Sequence, residues 1–202
     1  MPSKILDPAL EPVHASGLGG LVRARELALA GASGAKLQQL LRSGALVRIS
    51  RGLYGSPDRA ITEQDQLAQL AIKYPNIVFC LLTALQIHGL TTQNSHEVWV
   101  AISSKARAPS VSYPPLHIVR FSDLGLAVEQ KSIDGVVYVP VTSVAKTIAD
   151  CFKFRNKIGL DIALEALRDA WKQKKFTMDE LWEVAQVCRV ANVMRPYLES
   201  LV

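Results

Sequence analysis

The stretch from Gly31 to Gly55, GASGAKLQQLLRSGALVRISRGLYG, decides the fold of the first part of this chain. Ser33 is a favourable N-cap for a helix that is predicted to run to about Ser43 and to end at Gly44. Apolar residues follow the i, i+3, i+4 spacing of a buried helical stripe, at Leu37, Leu40 and Leu41. The stretch therefore begins with a short amphipathic helix.

A two-stranded hairpin is predicted directly after this helix. Residues 45–50 alternate as a strand, Arg51-Gly52 forms a turn, and Leu53-Tyr54 returns. The alternation places neighbouring side chains on opposite faces, with Leu46 and Arg48 on one and Val47 and Ile49 on the other. A helix followed by such a hairpin is typical of a winged helix-turn-helix.

The charge of this segment has one sign. No acidic residue occurs from Leu27 through Pro57, and every charged residue of the quoted stretch is positive: Lys36, Arg42, Arg48 and Arg51. Residues 1–57 hold seven Lys and Arg against three Asp and Glu, a net +4, whereas residues 58–202 hold sixteen against fifteen, a net +1. Because carboxylates repel phosphate, a helix and hairpin that exclude them favour a winged helix-turn-helix on duplex DNA.

Side chains of the helix and of the wing hairpin are the predicted DNA contacts. The helix offers groups that hydrogen-bond base edges or phosphates: Ser33, Lys36, Gln38, Gln39 and Arg42. The wing brings a second set near a groove or the backbone: Arg48, Ser50, Arg51 and Tyr54. We expect the helix to read sequence in the major groove and the wing to supply mostly phosphate affinity.

The whole chain predicts an α+β plan in two domains, residues 1–57 and 58–202. Before the quoted stretch, the pattern indicates a helix after Asp7-Pro8, a strand at Leu21-Val22 and a helix at Ala24–Ala30. The second domain is predicted as a larger α+β domain with a small sheet and a helical C-terminal tail. Its predicted helices are 63–73, 81–88, 142–152, 160–173, 177–189 and 193–201, its strands 97–102, 116–121 and 136–139, and 77–80 is a strand or the lead into a helix.

Composition bounds the class of protein. Of the 202 residues 49% are apolar, which is enough for a packed core. The three cysteines are far apart and form no CxxC pair, which indicates reduced core thiols at Cys80, Cys151 and Cys188. We expect a cytoplasmic protein without a membrane partner, because there is no signal-peptide pattern and the apolar runs are short.

Groupings that resemble an enzyme site are weak. Asp123, Glu129 and Lys131 resemble the D…ExK metal site of a nuclease, but five residues separate the acids and the run is not a convincing strand. Scattered histidines and the lack of phosphate-binding glycine loops predict no metal, no cofactor and no catalytic residue. His88 stands at a helix end, where a partial positive charge is favourable. A solvated helix end is expected at Lys172, Lys174 and Lys175.

The quoted stretch resembles the N-terminal domain of the AbiEi family, antitoxins of abortive-infection (type IV) toxin–antitoxin systems. The matching residues are Gly31, Ser33, Leu37, Leu40, Leu41, Gly44, Leu46-Val47-Arg48 and Arg51-Gly52-Leu53-Tyr54. Two more blocks are similar to the rest of the family, residues 83–90 and 141–150. Lys146 stands where the family pattern has arginine, and Pro12 is unusual for its first helix.

The resemblance implies two tasks. The winged helix would bind inverted repeats in the promoter of its own operon and repress transcription. The second domain would neutralise a nucleotidyltransferase-like toxin, without a stable complex being assumed. A single chain offers one winged helix, so inverted repeats need a weak dimer or two cooperating monomers.

Two other functions stay open. One is a plain winged-helix transcription factor whose second domain senses a ligand or dimerises, which the lack of a toxin-like gene beside this one would favour. The other is a metal-dependent nuclease, because related winged-helix chains can end in a Vsr-like nuclease domain. Mg²⁺-dependent cleavage that is abolished by Glu129→Ala would support the nuclease.

Overall fold

The computed structural model describes residues 21–58, 63–93, 95–133 and 137–201. The predicted helix after Asp7-Pro8 lies outside these residues. The chain divides into two compact units, Met1–Pro75 with Ser132–Val139, and Asn76–Lys131 with Pro140–Val202. The domain boundary at residue 57 stays a prediction, while the first compact unit extends past it to Pro75.

The first unit is built on a small antiparallel sheet. Its elements are β1 (Leu21–Arg23), α1 (Ala24–Leu29), α2 (Gly34–Arg42), β2 (Val47–Ser50), β3 (Leu53–Gly55) and α3 (Glu63–Lys73). The sheet has the strand order β1-β3-β2, and both pairings are antiparallel. The predicted strand at Leu21-Val22, the two predicted helices around Leu27 and Leu40, and the helix at 63–73 are confirmed.

Helices α1 and α2 and the sheet share one core. Its buried side chains are Val22, Leu27, Ala32, Leu40, Leu46 and Tyr54. The predicted stripe of α2 is confirmed, since Leu40 is buried and Leu37 and Leu41 pack against the core half-buried. Gly44 adopts φ +72° just after α2, a conformation that favours glycine, which explains why the helix ends there.

The hairpin departs from the predicted alternation. Strand β2 begins only at Val47, and Leu46 is buried whereas Arg48 is exposed, so these two side chains do not share one environment. The register also shifts between Arg48, opposite Tyr54, and Ser50, opposite Leu53. A bulge at this point adds one residue to β2, and period-two alternation cannot continue across it.

Helix α3 buries a charged residue together with apolar ones. Leu70 is buried, Leu67 and Ala71 are half-buried, and Asp65 and Ala68 are completely buried. The side chain of Asp65 takes part in an interaction, so its burial is not that of an isolated charge. A carboxylate in a helical core stripe is invisible to a pattern that counts only apolar residues.

A second, five-stranded sheet has the strand order β6-β5-β4-β8-β7. Its strands are β4 (Val78–Phe79), β5 (Val98–Ser103), β6 (Leu116–Phe121), β7 (Val128–Ile133) and β8 (Val137–Thr142). Strand β4 pairs antiparallel with β5 and parallel with β8, and β5 pairs parallel with β6. The mixed α+β class is therefore confirmed.

The second unit also holds the remaining helices. They are α4 (Leu81–His88), α5 (Val144–Lys153), α6 (Arg155–Ile158), α7 (Leu160–Lys172), α8 (Met178–Val187) and α9 (Ala191–Glu199). These helices and one face of β5 and β6 enclose the largest core, in which α5 is buried along most of its length. Cys80, Cys151 and Cys188 are free and buried, as predicted.

Two elements were missing from the prediction. Strand β7, VEQKSI, overlaps the run 123–131, which is not a convincing strand by its sequence, and the four-residue α6 has no predicted counterpart. Strand β7 lies at an edge of its sheet, and its central residues are exposed. Polar side chains are normal on such an edge, so the apolar pattern that identifies inner strands does not apply to it.

Candidate nucleic-acid interface

Helix α2 presents a polar outer face. Gln38, Gln39 and Arg42 are exposed, while Leu40 between them is buried in the core. Ser33 is exposed at the N-cap position, and its side chain makes no capping hydrogen bond. Four of the predicted contact residues are therefore exposed on α2 or at its N-cap, where a partner can reach them.

Lys36 differs from these residues. Its side chain is half-buried and takes part in an interaction within the protein. Its charge still adds to the positive field of the helix, but it is less available for a direct contact than Arg42.

The hairpin adds two exposed cations. Arg48 lies on β2 and Arg51 forms the turn, where Gly52 has φ +79° and closes the hairpin. Since residues 27–57 contain no carboxylate, no acid within this segment offsets Arg42, Arg48 or Arg51. These arginines therefore concentrate positive charge on the surface of α2 and the hairpin, two elements that share one apolar core.

The backbone connects the helix to the hairpin. The Leu46 N–H donates to the Leu40 carbonyl at 3.2 Å, and both side chains are buried in the same core. This contact fixes the start of the hairpin against the last turn of α2. The polar face of α2 and the arginines of the hairpin therefore belong to one rigidly packed group of elements.

Tyr54 and Ser50 are placed less favourably than predicted. Tyr54 is only 8% exposed and packs in the core, so the structure makes it a packing residue rather than a surface group. Ser50 is half-buried, and its Oγ is buried without a hydrogen-bond partner. Their alternating sequence pattern did not anticipate this, because the bulge in β2 lies between Arg48 and Ser50.

Arg23 is not among the predicted contacts. It is the last residue of β1, is half-buried, and its Nε is buried without a hydrogen-bond partner. In the sequence, Arg23 and Arg25 form a pair of basic residues. They lie outside the helix and the hairpin, on which the predicted contacts are based.

The second unit contains a buried pair of opposite charges on α5. Lys146 is 3% exposed and donates to the Asp150 carboxylate one helical turn away, and its ammonium also lies 4.3 Å from the centre of the Phe121 ring. Burial raises the pKa of Asp150, an effect that the neighbouring Lys146 opposes. The other carboxylate oxygen, Oδ1, is buried without a partner.

His88 corrects a prediction. It lies at the end of α4 as expected, but its Nε2 is 2.7 Å from the Thr142 carbonyl, to which it donates, and the side chain is buried. Burial lowers the pKa of His88, which favours the neutral ring rather than a partial positive charge. The cation at this helix end is instead Lys175, whose ammonium donates to the His88 carbonyl, so Lys175 is not simply a solvated charge.

The acidic residues considered for a metal site do not gather. Asp123 Oδ1 accepts a hydrogen bond from the Gly125 N–H at 3.1 Å, which closes a local turn. Glu129 Oε1 lies 3.8 Å from Nζ of Lys131, on the same strand β7, and 3.8 Å from Nδ1 of His88. Within the part of the chain that the structure describes, no three His, Cys, Asp or Glu side chains are grouped to hold a metal ion.

A part of the first unit matches a known protein family. Residues 12–57 match a family described as "Transcriptional regulator, AbiEi antitoxin". The resemblance is thereby confirmed for this segment, which includes β1, α1, α2 and the hairpin. The residues that form the polar face of α2 and the basic hairpin all lie inside the match.

The fold is similar to the crystal structure of the RV2827C protein from Mycobacterium tuberculosis. The TM-score is 0.50 at 14% identity, and the match covers 89% of this chain and 72% of that one. At this identity the likeness concerns the fold alone. None of the curated protein sequences compared with the chain matches it. No helix among the described residues is both long and apolar enough to cross a membrane.

Proposed function

We propose that this protein is the antitoxin of a type IV toxin–antitoxin system and that it represses its own operon. The first unit binds promoter DNA as a winged helix-turn-helix, with α2 in the major groove and the β2–β3 hairpin as the wing. The main support is the exposed polar face of α2 next to two exposed hairpin arginines, in a segment that contains no acid and matches the AbiEi family.

The helix and the wing have separate roles in this proposal. Gln38, Gln39 and Arg42 reach base edges, because amide and guanidinium groups form paired hydrogen bonds with adenine and guanine. Arg48 and Arg51 contact the backbone, and Lys36 strengthens the field around the helix. Phosphate contacts fix the position of the protein, and base contacts select the sequence.

The second unit counteracts a nucleotidyltransferase-like toxin, and we assume no stable complex with it. We propose that the protein works in the cytoplasm and catalyses no reaction of its own. Two copies, as a weak dimer or as cooperating monomers, occupy the two halves of an inverted repeat.

Salt-dependent binding of the full-length protein to its own upstream DNA, beside a scrambled duplex of equal length, tests the DNA-binding half. We expect tighter binding to the upstream duplex, and loss of that preference when Lys36, Arg42 and Arg51 are replaced together by Ala. Circular dichroism spectra of both proteins verify that the variant is folded. If neither duplex is bound at low salt, the winged-helix assignment is wrong.

Co-expression with the neighbouring toxin-like gene tests the antitoxin half. We expect the wild-type chain to restore growth, and the same triple variant to restore it as well, because neutralisation is assigned to the second unit. If there is no toxin-like gene beside this one, or if growth is not restored, the plain transcription factor is the better description.

A further inference from the structure

Strand β6 forms one edge of the five-stranded sheet. It is the first strand in the order β6-β5-β4-β8-β7, and its six residues pair in parallel with β5 along their whole length. Val119 and Phe121 are buried in the largest core, which holds the strand in place. Within the part of the chain that the structure describes, β6 is therefore an ordered strand with a neighbour on one side only.

Alternate residues of β6 direct their backbone groups away from β5. The Val98 N–H donates to the Pro115 carbonyl at 2.9 Å, and the Ser104 N–H donates to the Phe121 carbonyl at 3.1 Å. Because successive residues of a strand point their backbone groups to opposite sides, the odd-numbered residues of β6 face β5. The residues that point their N–H and carbonyl groups to the free edge are the even-numbered ones, Leu116, Ile118 and Arg120. Among the described residues none forms a hydrogen bond with these groups.

The two edges of this sheet differ in their protection. Natural edge strands avoid pairing with other chains by carrying charged side chains, prolines or bulges. Strand β7, at the opposite edge, has the charged residues Glu129 and Lys131. Strand β6, LHIVRF, has neither a proline nor a bulge, and Arg120 is its one Lys or Arg. The edge of β6 is thus the less protected of the two.

Arg120 does not guard this edge, because its side chain turns toward β5. Its Nη1 lies within hydrogen-bonding distance of three carbonyls at the end of β5 and just after it: Ser103 at 3.2 Å, Ser104 at 2.8 Å and Ala106 at 2.9 Å. The guanidinium is therefore held on the inner side of β6. Its charge leaves the outer side of the strand open to a further strand.

We propose that the free edge of β6 pairs with β6 of a second copy of this chain, antiparallel about a two-fold axis at Ile118. Leu116 then lies opposite Arg120 of the second copy, and Ile118 lies opposite Ile118. All the outward N–H and carbonyl groups are paired, because such opposed residues exchange two backbone hydrogen bonds. The two Arg120 side chains lie at opposite ends of the pairing, so no like charges are directly opposed.

The strand itself favours a second copy as the occupant. Its outward residues are symmetric about Ile118, as a two-fold interface between identical chains requires. One strand from each copy makes a small interface, so the dimer is weak. Two chains on an inverted repeat meet at a high effective concentration, at which weak pairing suffices. This role on DNA rests on the proposed function, whereas the pairing itself does not.

Sedimentation equilibrium of the full-length protein without DNA tests the pairing. We expect dimers at about 1 mM, the order of effective concentration that linked sites reach. Ile118→Lys places two ammonium groups opposite each other at the axis, so this variant should stay monomeric. Ile118→Val is the matched control and should dimerise like the wild type. A monomeric wild type, or equal dimerisation of the two variants, would overturn the proposal.

A cross-linking variant, Ile118→Cys, replaces this comparison if Ile118→Lys does not fold. Opposed residues that exchange hydrogen bonds have Cα atoms about 5.5 Å apart, a separation that a disulfide spans. Oxidised glutathione should therefore give a covalent dimer on a non-reducing gel. Lys131→Cys, exposed on β7, is the control and should stay monomeric, as should the wild type, whose cysteines are buried. No covalent dimer of Ile118→Cys, or as much of it for Lys131→Cys, would contradict the pairing.

DNA binding by Ile118→Lys separates this proposal from the proposed function. The wild type should bind a duplex with both half-sites cooperatively, and the variant should lose the cooperativity but keep the affinity for a single half-site. If the wild type dimerises but binds no duplex, the proposed function is wrong and the pairing stands. If the wild type binds DNA but stays monomeric without it, only the pairing is wrong.

Discussion

Three arginines of the first unit are exposed, whereas the second unit encloses a pair of opposite charges. Arg42, Arg48 and Arg51 are exposed beside a small apolar core. Lys146 and Asp150 are 3% and 1% exposed within the largest core of the protein. Charges at a surface are available to a partner and contribute little to stability, whereas a buried pair is costly to disturb and cannot reach a partner. The comparison therefore separates an accessible basic surface from a region that α5 organises structurally.

Removing one partner of the buried pair should have the largest effect. Asp150→Ala leaves the Lys146 ammonium buried without a counter-charge, and we expect the free energy of unfolding to fall by about 3–5 kcal/mol. Urea unfolding of the wild type and the variant measures this loss of stability. The double variant Lys146→Met/Asp150→Leu is the control, since it removes both charges and should lie near the wild type. If the single variant loses less than the double one, the pair is not coupled as described.

Replacing one amide on α2 should change sequence discrimination without changing stability. If Gln39 reads a base, Gln39→Ala should relax discrimination between the upstream and scrambled duplexes by about 1–3 kcal/mol. Arg51→Ala should instead weaken binding to both duplexes and lower the salt dependence. Anisotropy titrations of both variants on both duplexes measure the difference. Equal losses on specific and random DNA for the two variants would contradict this division of roles.

The buried His88 should make the stability of the protein depend on pH. Burial lowers its pKa below the ordinary value of 6.5, so at mildly acid pH the unfolded chain binds a proton that the folded chain does not. The free energy of unfolding should therefore fall as the pH drops below 6.5, by at most about 1.4 kcal/mol per pH unit from this group. His88→Gln should flatten this slope. His96→Gln, at an exposed position, is the control and should keep it.

The smallest effect is expected for the stability of the exposed arginine variants. Arg48→Ala and Arg51→Ala should change the free energy of unfolding by no more than about 0.5 kcal/mol, because both side chains are exposed. Urea unfolding of both arginine variants, measured together with Asp150→Ala, compares their stabilities. A loss above 2 kcal/mol, on the order of a core substitution, would mean that the hairpin arginines are structural.

The elements that could be predicted are those with a local signal. Helix α2 has an N-cap residue, an apolar stripe and a terminal glycine within twelve residues, Ser33–Gly44. In the structure Ser33 occupies the N-cap position without a capping hydrogen bond, the stripe packs in the core, and the helix ends before Gly44. Strand β7 lacks such a signal because its polar side chains are exposed at a sheet edge. The exclusion of acids from residues 27–57 was visible in the sequence, whereas the burial of Tyr54 was not.

The groups that escaped prediction depend on contacts between distant residues. The pairing of His88 with the Thr142 carbonyl joins residues 54 positions apart, and no local pattern contains it. Arg23 and Ser50 both lie opposite Leu53 because β3 stands between β1 and β2. The pair Lys146 and Asp150 has helical spacing, but the same spacing is common on solvated surfaces, so only burial reveals its role.

A salt titration of DNA binding tests the central claim most directly. The wild-type chain and the variant Arg48→Ala/Arg51→Ala are compared on the upstream duplex, at salt concentrations where both bind. If the two hairpin arginines each contact a phosphate, the slope of log K against log salt becomes shallower by about 1.8 in the variant. An unchanged slope in a folded variant would show that this surface does not face DNA.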